Sequence, residues 1–199
     1  DTVLNGISET AREALVSNNI ISSPLVTVER KGTDTAYVER TDYNIFPNGL
    51  ALPQIHNLQV GHNGLIPRLQ MYGYTNSGKL LEQSKTGDAH DSYIWDYAGM
   101  YPVAEVSNAS QSGIAYTSFE ADGTGNWTVP SGIRDTTTSI TGSKSYNLSN
   151  GSVSATGRTA GSTYIVSYWS RSGSYAITGA TGSVKTGRSV KGGTDYEHT

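Results

Sequence analysis

Apolar and polar residues alternate with a period of two over most of the 199-residue chain, and this pattern predicts β-strands. The segments "SPLVTVERKG" and "TAYVERTDYNIF" predict a strand pair joined at "KGTD", and "RLQMYGY" and "KLLEQSK" predict a second pair joined at "TNSG". In the second pair, Tyr72 and Tyr74 are expected to share one face of their strand, and Gly78 is expected to end the turn with a positive φ. The pattern therefore predicts short β-hairpins.

A helical spacing of apolar residues is found in one segment, "NGISETAREALVSNN". There Ile7, Ala11, Ala14 and Leu15 follow the spacing of one helix face, and Ser8 is placed to cap the first turn. Prolines would interrupt central strands, so we expect five of them at strand starts, edges or connections: Pro24, Pro47, Pro53, Pro67 and Pro102. The predicted fold class is mainly β with one short N-terminal helix.

Composition divides the chain into two predicted domains, residues 1–111 and 112–199. The first holds five of the six prolines and 12 of the 17 acidic residues, whereas the second is rich in Ser, Thr and Gly. The second is not expected to be a disordered tail, because "STYIVSYWS" still alternates apolar side chains. Tyr164, Val166 and Tyr168 fall on one side of this segment, which predicts a buried strand.

Composition and motifs argue against several classes of function. The absence of cysteine excludes disulfides and thiolate chemistry. A formal net charge of −3 and short apolar runs indicate neither nucleic acid nor a membrane span as a partner. Acid pairs and four dispersed histidines fit no catalytic or metal pattern, and "DAHD" is interpreted as a solvated turn. We therefore predict no catalytic residues, and a chain that is part of a longer polypeptide.

The hairpin "YGYTNSGKLLEQSK" resembles one unit of the tyrosine-aspartate (YD) repeats of the Rhs family, although Thr75 replaces the family's aspartate and Lys79 its usual arginine. The stretch "YIWDYAGMYPVAEV" resembles the segment that often follows the last such repeat. Together the resemblance covers residues 5–106. It implies a hairpin-rich structural segment of a large bacterial protein that is secreted or displayed on the cell surface.

The aromatic residues of that second stretch have two interpretations, a binding surface or the interior of the fold. Tyr93, Trp95 and Tyr97 alternate along one predicted strand face, which favours packing at the end of the YD-like segment. Ile94 and Asp96 are expected on the opposite face, with Asp96 directed toward water or a turn amide.

In the second domain, "SFEADGTGNWTVPSG", "GSKSYNLSNG" and "TAGSTYIVSYWSRSGSY" resemble the opening half of carbohydrate-binding, galactose-binding-like jelly rolls. Such modules need roughly 130 residues for eight strands. Only 83 residues remain from Thr117 onward, so a partial, jelly-roll-like β-sandwich is expected.

The resemblance also implies ligands. Trp127, Trp169 and Tyr175 are candidate rings for a sugar, although the two tryptophans are more readily explained as core residues of the first and middle strands. Glu120 matches a glutamate that helps to hold a structural calcium ion, and Asp122 is placed to assist it. No other cofactor is expected.

Three hypotheses of function remain open. The first is a non-catalytic segment of an Rhs/YD-like surface protein that acts in structure, adhesion or delivery, with the rest of a longer polypeptide or surface assembly as its partner. The second is an accessory, glycan-binding part of a polysaccharide-degrading enzyme. The third is a shell segment that encloses a toxin.

Overall fold

A computed structural model describes residues 8–130, 133–171, 177–178, 189–190 and 196–198. The chain divides into two compact units, Asp1–Ala115 and Tyr116–Thr199. The prediction of a mainly β protein with one short helix is confirmed. In the described part of the chain, no helix has the length and apolar character that a membrane span requires.

The first unit begins with the predicted helix, α1 (Glu9–Ser17). Its cap is the one expected, because the backbone N–H of Ala11 donates to Ser8 Oγ at 3.3 Å. Ala11 and Leu15 are buried on one side of α1 and form a small core with Ala51. The helix therefore covers part of the sheet near its second and third strands.

Seven antiparallel strands form a single meander in which each strand pairs with the next one in sequence. Both predicted hairpins are confirmed, and Gly78 has the positive φ that its turn requires. The strands are β1 (Val26–Lys31), β2 (Asp34–Ile45), β3 (Ala51–Val60), β4 (Ile66–Tyr74), β5 (Leu80–Lys85), β6 (His90–Asp96) and β7 (Tyr101–Ser107).

Three prolines lie inside strands of this sheet, at places where the hydrogen-bond ladder is irregular. Pro67 and Pro102 are the second residues of β4 and β7, and Pro53 lies in β3 before its pairing with β4 begins. In each case the pairing register shifts at the residue opposite the proline. Because proline has no N–H to donate, such irregularities accommodate it.

The two predicted neighbours Tyr72 and Tyr74 have different contacts. Register shifts interrupt the ladder on either side of Gly73, between the two tyrosines. The Tyr74 hydroxyl donates to the carbonyl of Pro53 at 2.7 Å, and its ring packs edge-on against Phe46. Burial raises the pKa of Tyr74 to about 12. Tyr74 therefore joins β4 to β3 and to Phe46, which directly follows β2, whereas Tyr72 contacts β5 and β6.

The aromatic stretch forms the hairpin β6–β7, but its burial differs from the expectation. Ser92, Ile94 and Asp96 are the buried residues of β6, and Tyr93 and Trp95 are only half-buried. The smaller side chains therefore occupy the more enclosed face of the strand, and the aromatic face is the more open one.

Tyr97 does not continue the aromatic face of β6. The strand ends at Asp96, whose Oδ1 accepts the backbone N–H of Tyr97 at 2.7 Å. Tyr97, Ala98 and Gly99 all have positive φ and turn the chain toward β7, which leaves Tyr97 46% exposed. The expectation for Tyr97 was wrong, whereas the expected contact of Asp96 with a turn amide is confirmed.

In the second unit, the described strands are short. β8 (Trp169–Ser170), β9 (Ser189–Val190) and β10 (Tyr196–His198) form an antiparallel sheet in the order β8–β10–β9. Two isolated bridges join Thr128 to Ser154 and Asp135 to Ser145.

The strand predicted at "STYIVSYWS" is reduced to its last two residues, Trp169 and Ser170. The preceding residues pair with no strand in the described part of the chain, and Ile165 is 95% exposed. The prediction of a buried strand there was wrong, because alternation shows a strand-like pattern but supplies no partner. Tyr175 and much of the remaining jelly-roll pattern lie outside the described residues.

Candidate functional site

The loop from Phe119 to Gly123 holds both residues predicted to bind calcium. Glu120 Oε1 accepts the backbone N–H groups of Ser143 at 2.9 Å and Lys144 at 2.5 Å, and Oε2 accepts the Ser143 hydroxyl at 3.2 Å. Lys144 Nζ donates to the Glu120 carbonyl at 3.0 Å. These bonds lower the pKa of the Glu120 carboxyl, the Lys144 N–H having the largest effect.

Arg134 binds the backbone of the same loop. Its Nε donates to the Phe119 carbonyl at 3.1 Å, and one terminal nitrogen donates to the Gly123 carbonyl at 2.9 Å and, over a longer 3.5 Å, to the Asp122 carbonyl. Converging carbonyl oxygens are typical of cation sites in proteins. Here the guanidinium of Arg134 lies where those oxygens converge.

Phe119 adopts an unusual backbone conformation at the start of this loop, with a φ of +64°. The Phe119 ring stacks on Tyr146, with 5.5 Å between the ring centroids. The Cζ atom of the Arg134 guanidinium lies 5.4 Å from the centroid of the same Phe119 ring. Aromatic stacking and the cation–π contact hold the side chain while the backbone turns. Arg134 therefore fixes both the ring and the carbonyl of Phe119.

As folded, these residues do not fit a calcium ion. Both carboxylate oxygens of Glu120 face hydrogen-bond donors, and the side chain of Asp122 is exposed. No group of three or more acidic, His or Cys side chains within the described ranges is arranged to hold a metal. A calcium ion requires six to eight oxygen ligands, and the loop directs its carbonyls to Arg134 and Lys144 instead.

We expect Glu120→Gln to reduce the acid sensitivity of the second unit. Because the folded pKa of Glu120 is lowered, its stabilisation is present above the ordinary glutamate pKa and is lost as the pH falls through the folded value. The variant should melt lower at neutral pH and change less on acidification. The stability of the variant should still fall somewhat with pH, since hydrogen bonds from Thr137 also lower the pKa of Asp135.

The measurement is the thermal midpoint of the full chain as a function of pH. Asp122→Asn is the matched control, because it removes an exposed carboxylate from the same loop. If the thermal midpoints of wild type and Glu120→Gln fall equally as the pH is lowered, the Glu120 hydrogen bonds do not stabilise the fold.

Arg134→Ala is expected to destabilise the second unit by about 2 kcal/mol, a typical value for hydrogen bonds made by a charged group. Arg134→Lys should restore only part of this, since an ammonium lacks the planar fork of the guanidinium. Urea unfolding of the full chain measures both variants.

The stability of the wild-type chain should be the same with calcium and with a chelator. A saturable increase of stability with calcium would instead support the predicted metal site.

The candidate sugar-binding residues have different environments. Trp127 is half-buried, and its backbone N–H donates to the Thr124 carbonyl at 3.1 Å. Trp169, on β8, is 39% exposed. The third candidate, Tyr175, lies outside the described residues. Trp169 therefore offers the more accessible ring of the two that the structure describes.

A polar cluster in the first unit was missed by the sequence analysis. His90, interpreted there as part of a solvated turn, is the first residue of β6, and its Nδ1 lies 2.5 Å from Glu82 Oε1. Its ring stacks on Tyr72 with 4.6 Å between centroids, and the Tyr72 hydroxyl hydrogen-bonds Ser84 Oγ at 2.9 Å. The pairing of Ser84 with His90 across β5 and β6, which brings His90 beside Glu82, is known only from the structure.

The same cluster fastens the chain that follows β7 to the sheet. The second carboxylate oxygen of Glu82 accepts the backbone N–H of Gln111 at 2.7 Å, and Ser92 Oγ donates to the Ala109 carbonyl at 2.7 Å. With its amide nitrogen directed toward the sheet, Gln111 also donates to the carbonyls of Tyr93 and Leu81, at 3.1 and 3.2 Å. We call residues 109–111 the latch, since they close over β5 and β6.

Comparisons of the chain with protein-family models, with curated proteins and with solved structures each returned no match. The fold nevertheless defines the class of the molecule, a mainly β protein with a seven-stranded antiparallel sheet and one short helix.

Proposed function

We propose that the chain is a non-catalytic structural segment of a large secreted or cell-surface protein of the Rhs/YD-like kind. The observation that supports this is the open seven-stranded meander. β1 and β7 are its edge strands, and within the described residues neither pairs with a further strand on its outer side. Unpaired edge strands present N–H and C=O groups that readily bind another strand. A sheet of this kind is suited to being continued by neighbouring protein.

A sparse core supports the same proposal. The buried apolar residues described in the first unit are few, namely Ala11, Leu15, Val38, Phe46, Ala51, Met71, Ile94 and Ile114. Small domains gain most of their stability from apolar burial, so neighbouring protein would add what this sheet lacks.

Apolar side chains are exposed at both ends of the meander. Val60 and Ile66 flank the β3–β4 turn and are 55% and 50% exposed, and Met100 and Tyr101 at the β6–β7 turn are 66% and 60% exposed. In a meander these two turns lie at opposite ends of the strands. Contacts with further protein at both ends would cover this apolar surface, as expected of a segment within a larger shell or stalk.

Hydrogen exchange tests the proposal. The 199-residue chain would be compared with the same chain expressed together with its flanking gene sequence. If neighbouring strands continue the sheet, the amides of β1 or β7 that exchange quickly in the chain should be protected in the longer protein. The internal strand β3, paired on both sides, is the control and should be protected in both. Equal exchange of β1 and β7 in the two proteins would contradict the proposal.

Glycan binding by the second unit is a second candidate function, supported by the 39% exposure of Trp169. An aromatic ring of this accessibility is suited to stacking on a sugar. Trp169→Ala should abolish binding on a glycan array, whereas Trp127→Phe, at a half-buried position, should retain it. Absence of binding by the wild-type chain would leave the structural proposal as the only one.

A further inference from the structure

Three Asn–Gly pairs lie within the described residues, and their environments differ. They are Asn48–Gly49, Asn63–Gly64 and Asn150–Gly151. A glycine has no side chain to shield its backbone nitrogen, so an asparagine that precedes one is open to attack on its side-chain amide. We propose that Asn63, in the turn between β3 and β4, is a site of spontaneous deamidation, and that the fold protects the other two.

The Asn63–Gly64 pair is open to this reaction. Both residues are exposed, and in the described structure the Asn63 side chain makes no hydrogen bond, while its backbone N–H donates to the Val60 carbonyl at a long 3.3 Å. A Cβ placed on Gly64 would have no atom within 4 Å. The Gly64 nitrogen donates no hydrogen bond in the described structure, and the Asn63 side chain is free to rotate toward it.

The Asn48–Gly49 pair is held at both reacting groups. Asn48 Nδ2 donates to the Thr75 carbonyl at 2.7 Å, and its Oδ1 accepts the Leu50 N–H at 3.0 Å. The Gly49 nitrogen donates to the Phe46 carbonyl at 2.8 Å. Attack would require both the amide and the nitrogen to give up these bonds, which slows the reaction.

The Asn150–Gly151 pair is restrained mainly at the glycine. Asn150 ends the 3₁₀ turn Leu148–Asn150, and the Gly151 nitrogen donates to the Leu148 carbonyl at 3.1 Å. Pro130 also crowds this glycine, since a Cβ built on Gly151 would lie 2.9 Å from the proline ring. The nitrogen that must attack is therefore bonded and fixed in position.

The reaction balances with water as the one co-reactant. The Gly64 nitrogen attacks Asn63 Cγ, a new N–Cγ bond forms, and the Cγ–Nδ2 bond breaks, releasing ammonia that carries away the Gly64 amide proton. Water then opens the resulting succinimide at either carbonyl to give aspartate or isoaspartate, with no change of oxidation state. The product gains one carboxylate, which changes the formal net charge from −3 to −4. Isoaspartate also lengthens the turn backbone by one methylene.

The test is to age the purified full chain in mildly alkaline buffer at physiological temperature. Peptide mass spectrometry then reports deamidation at each Asn–Gly pair, and labelling by an isoaspartyl methyltransferase reports the isoaspartate. Residue 63 should convert well before residues 48 and 150. Gly64→Ala should suppress conversion, and it should be tolerated because the position is open and its φ is not left-handed.

Ageing the chain unfolded in urea is the second arm of the experiment. If the fold provides the protection, Asn48 and Asn150 should then convert at rates close to that of Asn63. Conversion of residue 48 or 150 as early as residue 63 in the folded chain would overturn the proposal. Rates that stay different after unfolding would overturn it as well, because local sequence would then explain the order.

Discussion

Gly125→Ala is expected to unfold the second unit, the largest effect of any single substitution that we predict. Gly125 has a φ of +56°, and a Cβ at this position would lie 1.5 Å from the carbonyl oxygen of Tyr116. The Tyr116 N–H also donates to the Gly125 carbonyl at 2.8 Å, so the two backbones are fastened together. Because the overlap is with backbone, no side-chain rotation relieves it, and we expect a loss of more than about 3 kcal/mol.

The matched control for this substitution is Gly157→Ala. Gly157 also has a positive φ, +73°, but a Cβ there would meet no atom within 4 Å. It should therefore cost only the backbone strain, about 1 kcal/mol. Circular dichroism and tryptophan fluorescence during urea unfolding of the full chain measure both variants, with Trp127 and Trp169 reporting on the second unit and Trp95 on the first. If the two variants are equally stable, the close approach of Gly125 to Tyr116 does not exist.

Glu82→Leu should release the latch and destabilise the first unit by about 1.5 to 3 kcal/mol, the range for hydrogen bonds to charged groups. The Glu82 side chain is only 13% exposed and joins His90 on β6 to the Gln111 N–H. Leucine removes both acceptors and leaves that N–H without its partner. Glu82→Gln retains a carbonyl oxygen for one of the two bonds and should cost less.

Hydrogen exchange at Gln111 together with urea unfolding checks this prediction. Exchange of the Gln111 amide should accelerate strongly in Glu82→Leu and moderately in Glu82→Gln, while the amides of β2 and β3 change little. Unchanged protection of the Gln111 amide in Glu82→Leu would show that the latch does not depend on Glu82.

Features set by local sequence could be predicted. The Ser8 cap and the turn at Gly78 each depend on residues within a few positions of one another, so the sequence contains the whole interaction. The two hairpins joined at "KGTD" and "TNSG" followed from the same kind of information. These elements carry most of the architecture of the first unit.

Features set by distant partners could not be predicted. The side chains of β6 alternate between the two faces of the strand, and this alternation can be seen in the sequence. Which face is buried depends on the pairing of β6 with β5 and β7 and on the position of the latch. The same limit explains the missed contact between His90 and Glu82, and the missed hydrogen bonds of the Glu120 carboxylate. The N–H groups that bind the Glu120 carboxylate come from residues more than twenty positions away.

The most direct test of the proposed structural role is a cryo-electron microscopy map of the chain together with its flanking gene sequence. We predict that a strand from neighbouring protein is hydrogen-bonded along the outer edge of β1 or β7, and that further protein covers Met100 and Tyr101. A map in which both edge strands and this apolar turn face solvent would contradict it.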